Sequence, residues 1–577
     1  MEKVIGFLNG FHDTDTKGNF TGTHLGAKVA YAELLDNIIT HGGYEWHHFL
    51  YDVPPCDPER LARYVEFKRW DPRRLLVFRG ALPLDRIARE EYHVLFRPDC
   101  LIDFAMALRN ALARPLAPAV GLIHTLSYAD EMPLWIQLLL SNALPCDALV
   151  CSSSAAKEGM ERTFNVLSER LSRRLGGKTA VFRGQLPIIP LGVDVDYWVP
   201  EGDKTAVRRQ MGLPENTRII LCAARFSSWD KMDLRPFLMV VRQLLPVLGA
   251  DFFRVICVGD NVRENEAEQI RSFVESLGLS QVVTIDTDGT PSTVRRYYRV
   301  ADIFVSLADN LQETFGLTVI QAMACGLPTI VSDWDGYKDT VLHGETGYRI
   351  PTYWAQCDRQ ISHLGTQRPW WIDHLLLAQS VAVDTGELLD ALHLLITSPN
   401  LCHQLGEAGR RRAVQMYAWP VVIKQYKELW QECQERFVHL DAQDWTIEED
   451  GALLTPAYFR QFSHYASAII SSNTQLALRP TRSSVIFNEV SDYDVRLPDP
   501  MKKVFDPAVF ECFRWRLQEW PVTMSELVDA VGRETKHAED QVTRHLMWLV
   551  KYGVVEPVHA SANTQSVLVE RAGIETT

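Results

Sequence analysis

Residues 313–337 read ETFGLTVIQAMACGLPTIVSDWDGY. An acidic residue, Glu313, stands just before an apolar segment of helix length, Gly326 stops that segment, and a strand of the buried type, Pro328 to Ser332, follows at once. The pattern is helix, tight turn, strand. Phe315, Gly316 and Leu317 fall where the helix would begin, so their amides and the positive end of the helix dipole would face an open cleft, a setting that attracts phosphate. Glu313 and Gln321 are eight residues apart, about 12 Å of rise if both are helical, so they would address different ends of one elongated ligand.

Working outward, the same alternation recurs. Val4 to Leu8 is an apolar strand, followed by a polar loop containing Gly22 and Gly26 and then a helix from about Ala27 to Thr40. The loop glycines allow a ligand to approach the backbone, and His12 and Asp13 are polar candidates beside them. His124 directly follows the strand Ala119 to Ile123, at the carboxyl end where open α/β sheets bind ligands. Arg225 and Lys231 follow the apolar strand Arg218 to Ala224, close enough for both to turn toward one anion. Asp286 and Asp288 form an Asp-Xaa-Asp pair, the kind of acidic pair that can hold a metal, placed just before a helix from Pro291 to Val300.

These segments resemble the retaining GT-B glycosyltransferases of family 4, over about residues 1–438. The match lies in Glu313, Phe315 and Gly316, the CGLP and SDWDGY segments, the histidine after a first-domain strand, and the arginine and lysine of ARFSSWDKMDL. One position departs: the family's second glutamate is Gln321 here. The resemblance implies an α/β fold of two Rossmann-like domains facing across a cleft, with a nucleotide-diphosphate-sugar as donor substrate and no cofactor or metal required. It implies that Glu313 and His124 contact the transferred sugar, that Arg225 and Lys231 stabilise the departing diphosphate, and that Gly22, the amides of Phe315, Gly316 and Leu317, and the loop at Asp335 and Gly336 hold phosphate. Position 321 would meet the ribose. An amide there offers one neutral acceptor and one donor group where a carboxylate accepts two hydroxyls at full strength, so the nucleotide contact would be weaker or differently arranged.

The implied division is 1–200 for the acceptor-side domain, 201–415 for the donor domain with an insertion at 353–379, 416–440 for a helix crossing back, and 441–577 for an extension. In the insertion, Trp370 and Trp371 are candidates for a lid or an acceptor-stacking surface, or for anchoring the insertion to its own domain. In the extension, Thr455 and Pro456 open a helix expected to run through Ile469, and Thr523 and Glu526 form a capping box. A helix from about Ala538 to Lys551 precedes strands at 554–558 and 566–569 that could pair as a hairpin. Two helices and a hairpin resemble a winged helix. Glu539 and Asp540 on the second helix disfavour a nucleic-acid backbone, so a protein partner or self-association is the expectation.

The length of 577 residues exceeds one core, and 46% apolar with 23% charged residues is the balance of a soluble globular chain. A net charge of −14 argues against non-specific nucleic-acid or anionic-membrane binding. Eleven cysteines without a CxxC pair, and a start without a basic leader, lead us to expect a reducing, cytoplasmic setting and no transmembrane segment. The acceptor, whether saccharide, small molecule or protein, is not readable. The alternative to an enzyme is a non-catalytic nucleotide-sugar sensor acting through the extension, motivated by Gln321 and by the extension itself.

Overall fold

The computed structural model describes residues 3–8, 26–50, 58–78, 84–128, 131–261, 265–359, 361, 370–441, 444–445, 458–478, 505–517 and 521–558. They form two compact units, 1–455 and 456–577. The loop residues His12, Asp13 and Gly22 lie outside the described residues.

The first unit contains two six-stranded sheets. Strands β1 (Val4–Phe7), β2 (Trp46–Phe49), β3 (Leu75–Val77), β4 (Tyr92–Phe96), β5 (Ala119–Ile123) and β6 (Ala148–Cys151) lie in the order 3-2-1-4-5-6. Strands β7 (Arg218–Ala223), β8 (Phe253–Val258), β9 (Val283–Asp286), β10 (Ile303–Ser306), β11 (Thr329–Ser332) and β12 (Gly347–Ile350) lie in the order 12-11-10-7-8-9. Renumbered from its own start, the second order is the same as the first. Every pair in both sheets is parallel. Helices cover both faces of such a sheet, which is why its strands are largely apolar runs rather than alternating: β5, β6, β10 and β11 are buried at every position. The order reverses between β1 and β4 in one sheet and between β7 and β10 in the other, and the crevice beyond the carboxyl ends at such a point is where doubly wound folds take ligands. The two Rossmann-like domains of the GT-B expectation are therefore present.

The helix Trp419–Val438 joins them. It follows Tyr417, whose carbonyl accepts from the amide of Val193 at 2.8 Å. Its Tyr426 and Trp430 are fully buried against Phe96 and Tyr44 of the first domain. This is the return crossing read from YAWPVVIKQYKELW. At the insertion, β13 (Thr352–Trp354) pairs antiparallel with β14 (Val381–Val383), so the inserted segment leaves and re-enters at one point. A helix, Trp370–Ala378, lies between them.

Among its described residues the second unit has three strands, β15 (Gln475–Leu478), β16 (Val522–Thr523) and β17 (Val555–Pro557), with β15 central and antiparallel to both. Helices Pro507–Arg516, Met524–Thr535 and Glu539–Lys551 bury Phe510, Phe513, Leu527, Leu546 and Leu549 around Leu476. The capping box at Thr523 and Glu526 forms as expected. The helix expected through Ile469 is shorter: Tyr458–Phe462 is helical and Ser463–Tyr465 is a 3-10 turn. Its residues are largely exposed, so no apolar face rewards a longer helix. The strand expected at 554–558 pairs with β15, and the partner expected at 566–569 lies outside the described residues.

A buried ion pair fixes the first sheet. Asp147, fully buried, accepts from Arg109 Nη1 at 2.8 Å and Nη2 at 2.6 Å and from the amides of Ala119 and Leu144 at 2.7 Å each. Asp147→Ala strands the Arg109 charge and two amides, and is expected to cost about 3–5 kcal/mol. Urea denaturation of the two proteins measures it, and a loss below about 1 kcal/mol would show that water replaces the carboxylate.

Candidate functional site

The decisive turn departs from the simple helix reading. The helix runs Leu317–Ala324, and Gly316 precedes it at φ +100°, a left-handed conformation that glycine adopts freely. Glu313 therefore stands in a loop ahead of the helix, and the eight-residue interval to Gln321 is not a helical rise. A side-chain carbon on Gly316 would strike the ring of Tyr337, and one on Gly336 would strike the Thr314 carbonyl. The two turns cross at contact distance, and the Gly336 amide donates to the Glu313 carbonyl at 3.2 Å. By helix geometry the amides of Leu317 and Thr318 have no partner within the helix, and they sit at its positive end. Those of Val319 and Ile320 fold back to the Gly316 carbonyl at 3.1 and 3.3 Å.

In front of this turn is a cavity of about 340 Å³ whose walls come from both domains. Its charged groups are paired. Lys231 Nζ lies 2.7 Å from Glu313 Oε2, and Arg225 Nη2 lies 3.2 Å from Asp230 Oδ2. Glu313 and Asp230 are buried, at 8% and 4% exposure. Behind Glu313, Ser306 Oγ meets Tyr337 Oη at 2.7 Å. Burial, with the Glu313 charge adding to it, pushes the carboxyl of half-buried Asp335 up to about 7.

The opposite wall is the loop after β5. The His124 ring nitrogen Nε2 is 2.7 Å from the Pro98 carbonyl. A carbonyl only accepts, so this bond places the proton on Nε2 and leaves Nδ1 as an acceptor. Burial lowers the pKa of the ring, which favours the neutral form. Thr314 Oγ1 donates to the His124 carbonyl at 3.0 Å, and Ser152 Oγ donates to the Thr314 carbonyl at 3.3 Å. Gln312 adds three more ties: its side chain bonds Thr125 Oγ1, Ser127 Oγ at 2.6 Å, and His374 of the insertion helix at 3.1 Å. The other His374 nitrogen lies 3.2 Å from the Ser127 carbonyl.

The cavity thus brings together His124, Arg225, Lys231, Glu313, Phe315, Gly316 and Leu317. Gln321 lies one turn into the helix, half-buried and beyond the cavity wall, while Asp335 and Gly336 stand behind the wall. Asp286 and Asp288 are apart from it: Tyr297 Oη donates to Asp286 at 2.6 Å, and Thr293 Oγ1 and the Thr290 amide donate to Asp288 at 2.6 and 3.2 Å. That pair caps the turn before the helix Pro291–Val300. The sequence reading missed Asp230, Gln312, Thr314 and Ser152. Asp230 and Gln312 each adjoin a candidate, Lys231 and Glu313, and adjacency was their one available signal. Trp371 is half-buried at the start of the insertion helix. Trp354 packs edge-on to Trp334 at 5.9 Å and donates to Ser380 at 3.2 Å, anchoring the base of the insertion.

Two Rossmann-like sheets with a two-walled cleft define the GT-B fold, and a solved structure of Anabaena HepE in complex with UDP superposes with a TM-score of 0.50, covering 74% of this chain and 99% of that one at 16% identity. Residues 203–368 match the family model of the glycosyl transferases group 1. The D-inositol 3-phosphate glycosyltransferases of Corynebacterium jeikeium and Acidothermus cellulolyticus are 29% and 27% identical over 176 and 173 residues, 29% of this chain in each case. The matched stretch spans 41% and 37% of those relatives' lengths.

Asp309, in the loop leading to Glu313, offers a test of the site's electrostatics. It is buried, its Oδ1 has no hydrogen-bond partner, and burial with nearby Asp233 pushes its pKa up to about 7. An acid whose folded pKa is raised binds its proton more tightly when folded, so its contribution to stability is full below about pH 4 and is lost as pH rises through about 7. Asp309→Asn cannot ionise. Against wild type it should gain on the order of 2 kcal/mol more at pH 8 than at pH 4.5. Urea denaturation at both pH values tests this, and parallel profiles would mean that Asp309 titrates normally.

Proposed function

We propose that this protein is a glycosyltransferase that moves a sugar from a nucleotide-diphosphate-sugar to an acceptor held across the cleft, with retention of anomeric configuration. The observation that carries the reading is the convergence of two cations, a buried carboxylate and a helix amino end on one cavity, faced by a neutral histidine from the other domain. Arg225, Lys231 and the amides at the start of the helix Leu317–Ala324 take the diphosphate. Glu313 accepts sugar hydroxyls, and His124 Nδ1 accepts another. Retention fits a front-face displacement. The bond from the anomeric carbon to the β-phosphate oxygen breaks with its electron pair going to phosphate, the acceptor oxygen bonds to that carbon on the same face, and its proton passes to the phosphate. No protein base is then required, and the work of the site is to hold charge and exclude water. The two cations supply the neutralisation that a metal supplies elsewhere, so donor binding should be independent of magnesium.

Residues 456–577 serve, in our reading, as a winged-helix-like module for a protein partner or for self-association. The acidic Glu539 and Asp540 at the start of one helix support this over nucleic acid. The ten described cysteines are unpaired, which supports the reading of a reducing, cytoplasmic setting. Among the described residues, no helix is long and apolar enough to cross a membrane.

A thermal-shift screen with UDP-, GDP-, ADP- and dTDP-sugars, with and without magnesium, should single out one donor, stabilising by about 2.7 kcal/mol at a hundredfold excess over its dissociation constant. With that donor, Lys231→Ala should lose about a hundredfold in transfer rate, roughly 3 kcal/mol of transition-state stabilisation. Glu313→Ala should abolish transfer while folding and nucleotide binding persist. Donor binding without transfer to any acceptor in a broad panel would favour the sensor instead. Gln321→Glu should tighten nucleotide binding by a few-fold if a ribose lies beyond Leu317 and Thr318. Unchanged affinity would place the ribose elsewhere.

A further inference from the structure

The transfer scheme leaves one charged group of the cavity without a task. Asp230 shares its Oδ2 with Arg225 at 3.2 Å, while its Oδ1 is buried with no hydrogen-bond partner. A buried carboxylate oxygen without a donor costs free energy, and a site that keeps one needs a donor in its working state. Beside it the Lys231–Glu313 pair closes at 2.7 Å. Each cation that a diphosphate needs therefore already holds a carboxylate, and two positive and two negative charges cancel.

This pairing separates two ligands that share a diphosphate. A nucleoside diphosphate presents only acceptors at its phosphate end. To reach Arg225 and Lys231 it must strip Asp230 and Glu313 of their partners, and it returns nothing to either. An intact nucleotide sugar carries, next to the same phosphates, hydroxyls that donate. Resting on the glycosyltransferase reading, we infer that Asp230 is a specificity and product-release residue. Its Oδ1 accepts a hydroxyl of the sugar while the donor is whole, and Asp230 reclaims Arg225 once the sugar has moved to the acceptor. The nucleoside diphosphate left behind then faces two carboxylates with no donor to offer them, the ion pairs close, and it leaves.

The test is isothermal titration of the full-length protein and Asp230→Asn with inorganic pyrophosphate, with UDP, GDP, ADP and dTDP, and with their sugar derivatives. Removing the competing charge should tighten pyrophosphate and the matching nucleoside diphosphate about tenfold, while the intact donor gains nothing, having exchanged a charged acceptor for its hydroxyl for a weaker neutral one. Product inhibition of transfer should rise in parallel. Asp230→Glu, which keeps the charge, should retain the wild-type ratio of donor to product affinity, and Asp230→Ser gives the same reading as the Asn variant where that variant fails to fold. Equal tightening of product and donor, or of neither, overturns this role for Asp230 and leaves the transferase reading standing. Failure of the wild type to bind any of these nucleotide sugars overturns both.

Discussion

The crossing of two turns at Gly316 and Gly336 is the constraint on which the rest of the site depends. Neither position has room for a side chain, because Tyr337 fills one side and the Thr314 backbone the other. The contact fixes where Glu313 leaves the loop, where the helix Leu317–Ala324 begins, and how its open amides point. Each turn follows a central strand, β10 or β11, so the crossing is braced by two apolar strands with no exposed residue. A rigid base of this kind lets a small number of polar groups act at fixed distances without paying ordering entropy at each encounter.

Charge pairing follows from the same geometry. Glu313 is held near the end of β10 and Lys231 in the loop after β7, and these strands are neighbours in the sheet. Burial would make either charge costly alone, so the two meet, as do Arg225 and Asp230. Burial, with the Glu313 charge adding to it, pushes the neighbouring carboxyl of Asp335 up to about 7. A ligand that bonds Arg225 or Lys231 in this cavity must exchange partners with Asp230 or Glu313.

Much of this was legible in sequence because the strands of a doubly wound fold are short apolar runs, and the residues at their carboxyl ends face the crevice by topology alone. His124, Arg225 and the Glu313 loop were readable for that reason. Distances along a supposed helix were not: glycine at position 316 can mean a helix start or a left-handed break, and the choice is made by Tyr337, distant in sequence. Asp230 was invisible because an aspartate beside a lysine in a loop is ordinary until Arg225 folds over it. Gln312 was hidden by Glu313, whose chemistry drew the eye. The insertion's role at the cleft rests on His374, which meets Gln312 only because β13 and β14 return the chain to one point. No periodicity signals such a contact.

The two sides of the cleft are joined by different physics, and that difference bears on how the site opens. On the hinge side, the helix Trp419–Val438 buries Trp430, Tyr426 and Cys433 in an apolar cluster shared by both domains. Opening there would expose apolar surface at about 25 cal/mol for each Å². At the mouth the ties are polar: Gln312 to Ser127, Thr314 to the His124 carbonyl, Ser127 to the Leu311 carbonyl, and the Asp339 carboxylate capping the helix Ser154–Arg174 through the Ser154 amide and hydroxyl at 2.6 and 2.5 Å. Each of these exchanges for water at a net cost of only about 1 kcal/mol. Opening at the mouth therefore costs less than parting the domains at the crossing helix. The loops joined by these polar ties, 124–127 and 311–314, carry His124 and Glu313, so opening at the mouth would draw those two residues apart. On the proposed transferase reading, closing the mouth and assembling the site would be one event, with water excluded as the reacting groups meet.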